Sequence, residues 1–497
     1  MSHPDILLTT LNARYIHSAL GLRYLMANLG ELQPRARLVE FSINQRPVDI
    51  AEQIIADAPR IVGIGCYIWN ITQVTELCAL LKSLQPALCI VLGGPEVSHE
   101  TEQSPAYAYA DHVIQGQADL EFARLCRSIL GDQPQPRVID APSPEPSKLT
   151  LPYALYNEED IRQRVIYVEA SRGCPYKCEF CLSALDRSAQ PFDLDQFLGE
   201  IERLYARGAR SFKFVDRTFN LNTRISQRIL QFFLDRPTGD LFLHFELIPD
   251  RLPAALKTLI ERFPPGCLQF EIGVQSFNQE VQQRISRRQD HQRTLDNLRY
   301  LTTQTRVHLH ADLIAGLPGE DLASFAHGFN LLVSLGVQEI QLGILKRLRG
   351  APICRHSDEF AMVFSPVAPY EVLSTSALDA PTLFRVKRFA RYWDLLANSG
   401  RFRHSLPLLL AAQPFENFMA FGDWLFASCG QTHRISLPRL FRLLHDYRND
   451  DQFVEALRAD YANSGQKGLF EQCINLAPAT TTRKATAAAR QQRHIHQ

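Results

Sequence analysis

Hydrophobic positions in residues 1–131 alternate between two periods. Short, nearly continuous apolar runs are bounded by polar or turn-forming residues: "DILLTTL" (5–11), "RLVEFSI" (37–43), "IVGIGCYI" (61–68), "LCIVLGG" (88–94) and "HVIQG" (112–116). Between them apolar residues recur at helical spacing, as in Leu22, Leu25, Met26 and Leu29, and again in Val74, Leu77, Cys78 and Leu81. Each set makes one stripe on a helix. Strands that are apolar throughout, separated by helices, predict a parallel sheet covered on both faces, a doubly wound, Rossmann-like α/β domain over 1–131. Ligands of such sheets bind past the carboxyl ends of the strands. Those ends carry "NARYIHS", "CYIWN", "GGPE" and "GQAD".

The pattern breaks at "DQPQPRVIDAPSPEPSKLTLP" (132–152), where repeated prolines favour extended backbone and predict an interdomain linker over 132–160. Alternation resumes over 161–360 with "RVIYVEAS", "SFKFVD", "FLHFEL", "LQFEIGVQS", "VHLHADLIAG" and "EIQLGIL", separated by helical stretches such as "LDQFLGEIERLYARG". These strand–helix units predict a partial (β/α) TIM barrel, whose chemistry sits in the loops after the strands. Residues 361–476 read as a mainly helical C-terminal domain, with "LFRVKRFARYWDLLA" and "LPRLFRLLHDYRND" the clearest helices. Residues 477–497 are small, polar and basic, and predict a disordered tail.

Composition narrows the partners. Lysine plus arginine and aspartate plus glutamate both number 53, so there is no general attraction to nucleic acid or an anionic membrane, and no clear nucleic-acid site stands out. No apolar run reaches the roughly 18–20 residues of a membrane span, and the start of the chain shows no signal peptide. Eleven cysteines without a secretory leader predict reduced thiols or metal ligands in the cytoplasm rather than a disulfide framework.

Three of those cysteines, Cys174, Cys178 and Cys181, crowd into "SRGCPYKCEFCLSALDRSA" (171–189) after the first barrel strand. A disulfide would strand the third. Structural zinc takes four ligands from paired knuckles, and no second pair is present. An iron–sulfur cluster held by thiolates on a short loop is the remaining reading. Three thiolates leave one iron of a 4Fe-4S cubane without a protein ligand, open to a small molecule. Glycine before Cys174 allows close backbone approach, and Phe180 is placed to cover the cluster or stack on an adenine.

The C-x₃-C-x₂-C spacing with an aromatic before the last cysteine resembles the radical S-adenosylmethionine (radical SAM) enzymes. Preceded by a doubly wound domain, the chain resembles the subgroup that adds a cobalamin-binding domain, as a branch with a helical C-terminal domain. The resemblance implies a 4Fe-4S cluster on Cys174, Cys178 and Cys181 that reductively cleaves S-adenosylmethionine. It also implies cobalamin in the first domain and methylation or rearrangement of an unactivated carbon in a small-molecule substrate. The electron would come from a donor such as flavodoxin or ferredoxin. Cofactor contacts carried over are Asp216 in "FKFVDRTFN", which stands where many members have Gly-Gly-Glu, then Glu246, then Gln275 and Ser276. Ile314, Gly316 and Pro318 in "LIAGLPGE" would back the adenine. Toward the corrin the same resemblance implies Asn12, His17, Ser18, Tyr67, Trp69, Gly93, Gly94, Glu96 and Gly116. The family's Asp-x-His-x-x-Gly cobalt-ligand motif is absent, and His17 is the histidine nearest its expected place. His244 and Glu246 read equally as site contacts or a core pair, and Lys346, Arg347 and Arg349 as an anion site or a solvated basic turn.

Two other functions fit parts of the pattern. Methylthiolation of tRNA or protein needs a second cluster, for which Cys66, Cys78 and Cys89 are ill placed on a strand end, a helix and a strand. A non-catalytic iron–sulfur electron carrier or sensor needs only the cysteine turn.

Overall fold

The computed structural model describes residues 3–475. Its first sheet holds β1 (Ile6–Asn12), β2 (Ala36–Ser42), β3 (Ile61–Gly65), β4 (Cys89–Gly93), β5 (His112–Gly116) and β6 (Val138–Ala141). The strands are parallel in the order β2-β1-β3-β4-β5-β6. Both faces are apolar, as the unbroken hydrophobic runs require. Leu7, Leu11, Val62, Ile64, Ile90 and Leu92 pack with the helices Pro47–Ala56 and Ile71–Leu84 on one side. Ile6, Leu8, Ile61, Val91 and Ile114 pack with Leu20–Ala27 and Glu121–Leu130 on the other. Each fully buried Leu or Ile contributes on the order of 1.5–3 kcal/mol.

The proline-rich stretch corrects the linker expectation. Val138–Ala141 is the sixth strand, pairing Val113 with Val138 and Gly116 with Ala141. Pro134 and Pro136 fall before it and Pro142 after it, so no proline interrupts the ladder. Tyr153 and Tyr156 are then buried with their hydroxyls donating to the carbonyls of Glu169 and Tyr167, and the helix Glu158–Gln163 is capped by Asn157.

The second sheet starts at β7 (Ile166–Val168). A two-residue antiparallel ladder follows, β8 (Ser171–Arg172) with β9 (Gln190–Pro191). Then come β10 (Ser211–Phe214), β11 (Phe242–Leu247), β12 (Leu268–Gln275), β13 (His308–Ala315) and β14 (Glu339–Ile344). The order β14-β13-β12-β11-β10-β7 is wholly parallel and sequential, an open (β/α) barrel of six strands. Alternation sorts its residues. Phe212, Phe214, Phe245 and Phe270 face the helices, and Phe214 and Phe245 stack at 4.4 Å. Lys213, His244, Glu246, Glu271, His310 and Asp312 fall on the opposite face.

The barrel continues into a small hairpin, β15 (Val363–Phe364) with β16 (Val372–Ser374), where a helical domain was expected from 361. Both sheets and this hairpin lie in one compact unit, Met1–Phe384; a second unit begins at Arg385. That unit is helical, with Ser405–Leu410, Pro414–Cys429, Leu437–Tyr447 and Asp451–Asn463 around Phe415, Phe418, Phe421, Phe441 and Leu457. Its buried Asp460 accepts the backbone N–H groups of His404 and Ser405 and the Ser405 hydroxyl. Among the described residues no helix is long and apolar enough to cross a membrane. The tail expected at 477–497 lies outside the described residues.

Candidate active site: two cavities walled by one loop

Residues 173–189 form a loop pinched at its base by the β8–β9 ladder. Gly173 turns into it at φ +92°, and a Cβ there would stand 2.8 Å from the Ala189 nitrogen. The Cys174 N–H donates to the Asp186 carbonyl at 2.8 Å, and Asp186 is held by Ser188 and by Gln117 from the first sheet. Glu179, almost wholly buried, pins the middle of the loop. It accepts from Ser286 at 2.7 Å, from His356 Nε2 at 2.8 Å and from Arg355, while its own N–H donates to the Ile285 carbonyl. With Glu179 anchored, Cys174, Cys178, Phe180 and Cys181 all line one cavity of 200 Å³ at the carboxyl end of the barrel, together with Arg217, Glu246, Glu271, Gln275, Arg287 and Asp312.

Two features of this cavity suit a cluster with a small organic ligand. Arg287 donates from Nη1 to Cys178 Sγ at 3.3 Å, placing a charged donor against a sulfur that faces the cavity. Gln275, at φ +73°, turns inward after an irregularity in the β12–β13 pairing, and its buried Oε1 accepts no hydrogen bond. A buried orphan acceptor is costly and wants a donor such as an ammonium or hydroxyl. Among the described residues no three His, Cys, Asp or Glu side chains gather around a point as ligands of a single ion would. A cubane gives each thiolate its own iron, so the three sulfurs need only face one cavity.

The second cavity, 390 Å³, lies at the carboxyl edge of the first sheet. Gly63, Gly65, Gly93, Gly94 and Gly116 line it, with Tyr67 among them. Gly94, at φ +103°, brings its Cα over the Cys66 peptide, where a Cβ would lie 2.6 Å from the carbonyl oxygen. Glycine-lined edges of this kind admit a large flat group or a nucleotide tail. The opposite wall comes from the cysteine loop and barrel: Glu169, Arg172, Gly173, Ser183, Asp186 and Arg217. Arg172 is neutralised there, pairing with Glu169 and with Asp119 at 3.0 Å.

Several expected contacts sit elsewhere. Asp216 continues the helix-facing alternation of Phe212 and Phe214. Its oxygens accept from the Ala170 N–H at 2.9 Å and the Ser171 hydroxyl at 2.6 Å, so it braces the base of the cysteine loop and does not line the cavity. Burial pushes its carboxyl up to about 7 against those two hydrogen bonds. Its neighbour Arg217 is the inward residue, missed by the sequence reading although continuing the Lys213, Val215 alternation finds it. Ser276 is buried against Glu320 and the Asn278 N–H. Gly316 has φ +85° and abuts Val372 of β16, Ile314 lies in the β13–β14 ladder, and the Pro318 carbonyl accepts from Arg284. None of these four lines either cavity.

The loop after β1 is likewise turned to the barrel strand β7. The His17 ring meets the Tyr167 hydroxyl through Nδ1 at 2.8 Å, Ser18 donates to the Val165 carbonyl, and Asn12 donates to Glu40 and the His17 carbonyl. His17 therefore does not face the glycine cavity as a cobalt ligand would. Trp69 stacks on Tyr67 at 4.4 Å and only Tyr67 reaches the cavity. Glu96 is buried and paired with Arg349 at 3.0 Å and the Tyr370 hydroxyl at 2.7 Å, and Arg347 pairs with Glu100 at 2.9 Å. Arg347 and Arg349 are thus spent on internal ion pairs that tie the segment after β4 to the segment after β14. Gly93, Gly94, Gly116, Phe180, Glu246 and Gln275 are the remaining expected contacts that do line a cavity. Cys66 and Cys78 are fully buried in the core and Cys89 is partly so; burial pushes the Cys78 and Cys89 thiols up to about 12.

Inside the barrel, opposite charges are paired. His244 Nε2 meets Glu271 at 3.0 Å and Lys213 at 3.3 Å meets the same carboxylate. Burial raises the Glu271 carboxyl, but the His244 hydrogen bond and the Lys213 charge outweigh it and hold it down to about 2. His310 lies 3.3 Å from Asp312, and His308 2.9 Å from Glu339. The histidine–glutamate pairing expected between 244 and 246 thus runs from His244 to Glu271 instead, and Glu246 takes Arg217 at 2.8 Å.

Family models match three stretches of the chain. Residues 6–126 match the B12 binding domain model, 168–332 the radical SAM superfamily model, and 358–497 a family described as a protein of unknown function. Over 332 residues the chain is 26% identical to the cobalamin-dependent radical SAM methyltransferase TokK of Streptomyces tokunonensis, covering 58% of this chain and 47% of TokK. A 2-(S-pantetheinyl)-carbapenam-3-carboxylate methyltransferase of Streptantibioticus cattleyicolor is 25% identical, over 56% of this chain and 46% of its own. The chain thus spans about half the length of these curated relatives. By fold it is similar to OxsB, a cobalamin-dependent S-adenosylmethionine radical enzyme, at TM-score 0.63 and 13% identity over 94% of this chain and 84% of that one. It is also similar to the radical S-adenosylmethionine methyltransferase TsrM of Kitasatospora setae, at TM-score 0.61 and 15% identity over 84% and 95% of the two chains.

Proposed function

From the premise of a chain that joins a B12-binding domain to a radical SAM domain, we propose an enzyme that methylates an unactivated carbon of a small molecule. Cys174, Cys178 and Cys181 hold a 4Fe-4S cluster, S-adenosylmethionine occupies the rest of the cysteine cavity, and cobalamin occupies the glycine cavity. When bound, the cluster with S-adenosylmethionine supplies a hydrogen-abstracting group and cobalamin a methyl donor. The observation that carries this reading is that one loop walls both cavities: Gly173, Ser183 and Asp186 face the glycine cavity, and Cys174, Phe180 and Cys181 face the other. Groups held on the two sides are within reach of one substrate.

The chain's own residues position and shield. Gln275 Oε1 is the free acceptor for a hydroxyl or ammonium of the nucleoside cofactor, and Phe180 covers the cluster. Arg287 donates to Cys178 Sγ and stabilises negative charge on the sulfur. Arg172, already paired with two carboxylates, fixes the loop base between the cavities. Electrons enter from a cytoplasmic donor of the flavodoxin or ferredoxin class.

The test is anaerobic. Protein loaded with iron, sulfide and cobalamin is incubated with S-adenosylmethionine and a strong reductant, and products are separated by chromatography. 5′-Deoxyadenosine and S-adenosylhomocysteine are both expected. Failure to form either, in protein with full iron and cobalt content, overturns the proposal.

A further inference from the structure

Among the described residues one side chain, Arg217, lines both cavities. Its side chain is 51% exposed, so part of the guanidinium is free to meet a ligand. Glu246 holds only one end of the guanidinium: Nη1 donates to Oε1 at 2.8 Å and to Oε2 at 3.1 Å. Nε and Nη2 donate to nothing among the described residues. Of the other arginines on these walls, Arg172 is committed to Glu169 and Asp119 and Arg287 to Cys178 Sγ and the Gly273 carbonyl, while Arg288 lines the cysteine cavity alone and does not reach the glycine cavity.

A carbon that must be reached from both cavities has to lie where they meet, which is against Arg217. The fork formed by Nε and Nη2 matches two oxygens of a carboxylate or phosphate. We propose that Arg217 is a substrate-positioning residue and that the substrate carries an oxyanion, carboxylate or phosphate, docked on its free edge. This names the substrate class for the function proposed above and rests on that reading. Glu246 fixes the guanidinium so that its open edge faces the junction.

The probes are acetate and inorganic phosphate, titrated calorimetrically into cluster- and cobalamin-loaded protein, with S-adenosylmethionine titrated in parallel. Wild type is expected to bind at least one anion saturably, acetate marking a carboxylate substrate and phosphate a phosphorylated one. Arg217→Gln should raise its dissociation constant at least tenfold, and Arg217→Lys, which keeps the charge but loses the fork, by less. Glu246→Gln, which keeps an acceptor for Nη1 but removes the carboxylate charge beside the docked anion, should tighten the anion. Iron and cobalt content and circular dichroism check that each variant is folded. The inference is overturned if neither anion binds wild type, if Arg217→Gln binds them as wild type does, or if that variant weakens S-adenosylmethionine instead. A wild type that forms neither 5′-deoxyadenosine nor S-adenosylhomocysteine sinks the functional reading separately.

Discussion

Arg287 joins the cysteine loop to the barrel strand beside it: Nη1 reaches Cys178 Sγ at 3.3 Å while Nη2 holds the Gly273 carbonyl. In a loaded cluster a fixed cation hydrogen-bonded to one sulfur raises the reduction potential. Arg287→Gln should therefore give a cluster with a more negative potential and weaker iron retention, consistent with losing a charged hydrogen bond of about 1.5–3 kcal/mol. Arg287→Lys should fall between. Spectroelectrochemical titration and iron content after gel filtration report both effects.

Replacing Cys174, Cys178 or Cys181 singly with alanine should remove most cluster iron and its visible absorbance. Cobalamin should remain, because none of the three cysteines lines its cavity. Cys126→Ala is the matched control, since that thiol is buried between helix Glu121–Leu130 and the sheet. Iron, sulfide and cobalt assays decide the matter, and iron loss in the Cys126 variant would contradict it.

Gly94→Ala should reduce cobalt occupancy and stability together. Its φ of +103° disfavours any L side chain, and the new Cβ would stand 2.6 Å from the Cys66 carbonyl oxygen, which is backbone and cannot swing away. Strain of this kind costs about 1–3 kcal/mol. Gly93→Ala, where the nearest atom would be 3.8 Å away, should cost much less in stability. Thermal midpoints with and without cobalamin separate the two.

Glu320 predicts a pH dependence with a definite sign. Burial pushes its carboxyl up to about 7 against hydrogen bonds from Ser276 and Ser324. Between about 4.5, its unfolded value, and about 7, the folded state keeps a proton that the unfolded state has lost. That contribution to stability is full below this window, falls as pH rises through it, and is level above. The shift corresponds to about 3 kcal/mol. Glu320→Gln cannot titrate, so the urea midpoint of the variant relative to wild type should rise between pH 5 and pH 8. A constant difference would contradict the assignment.

Both sheets were legible because their strands are short apolar runs with turn residues between, and the cysteine cavity because its spacing is local. What failed was direction. Asp216 and Arg217 are neighbours, and only counting alternation from Lys213 decides which one faces inward. Ser276 follows Gln275, whose positive φ breaks the alternation that would otherwise place it. Glu96 and Arg349 find each other across 253 positions, a pairing no local pattern announces. Gly63 and Gly65 were readable as a Gly-x-Gly at a strand's carboxyl end but were passed over for the more conspicuous Gly93 and Gly94.

The sixth strand matters for anyone dividing this chain. A fragment ended at residue 131 would leave β5 with an unsatisfied row of amides and carbonyls from Val113 to Gly116, the pattern that recruits a second molecule edge to edge. It would also uncover the apolar surface that Ile139 and Ala141 seal. The cobalamin half on its own should therefore self-associate more than one carried through residue 163, so that the prolines mark the seam less faithfully than the hydrogen bonds do.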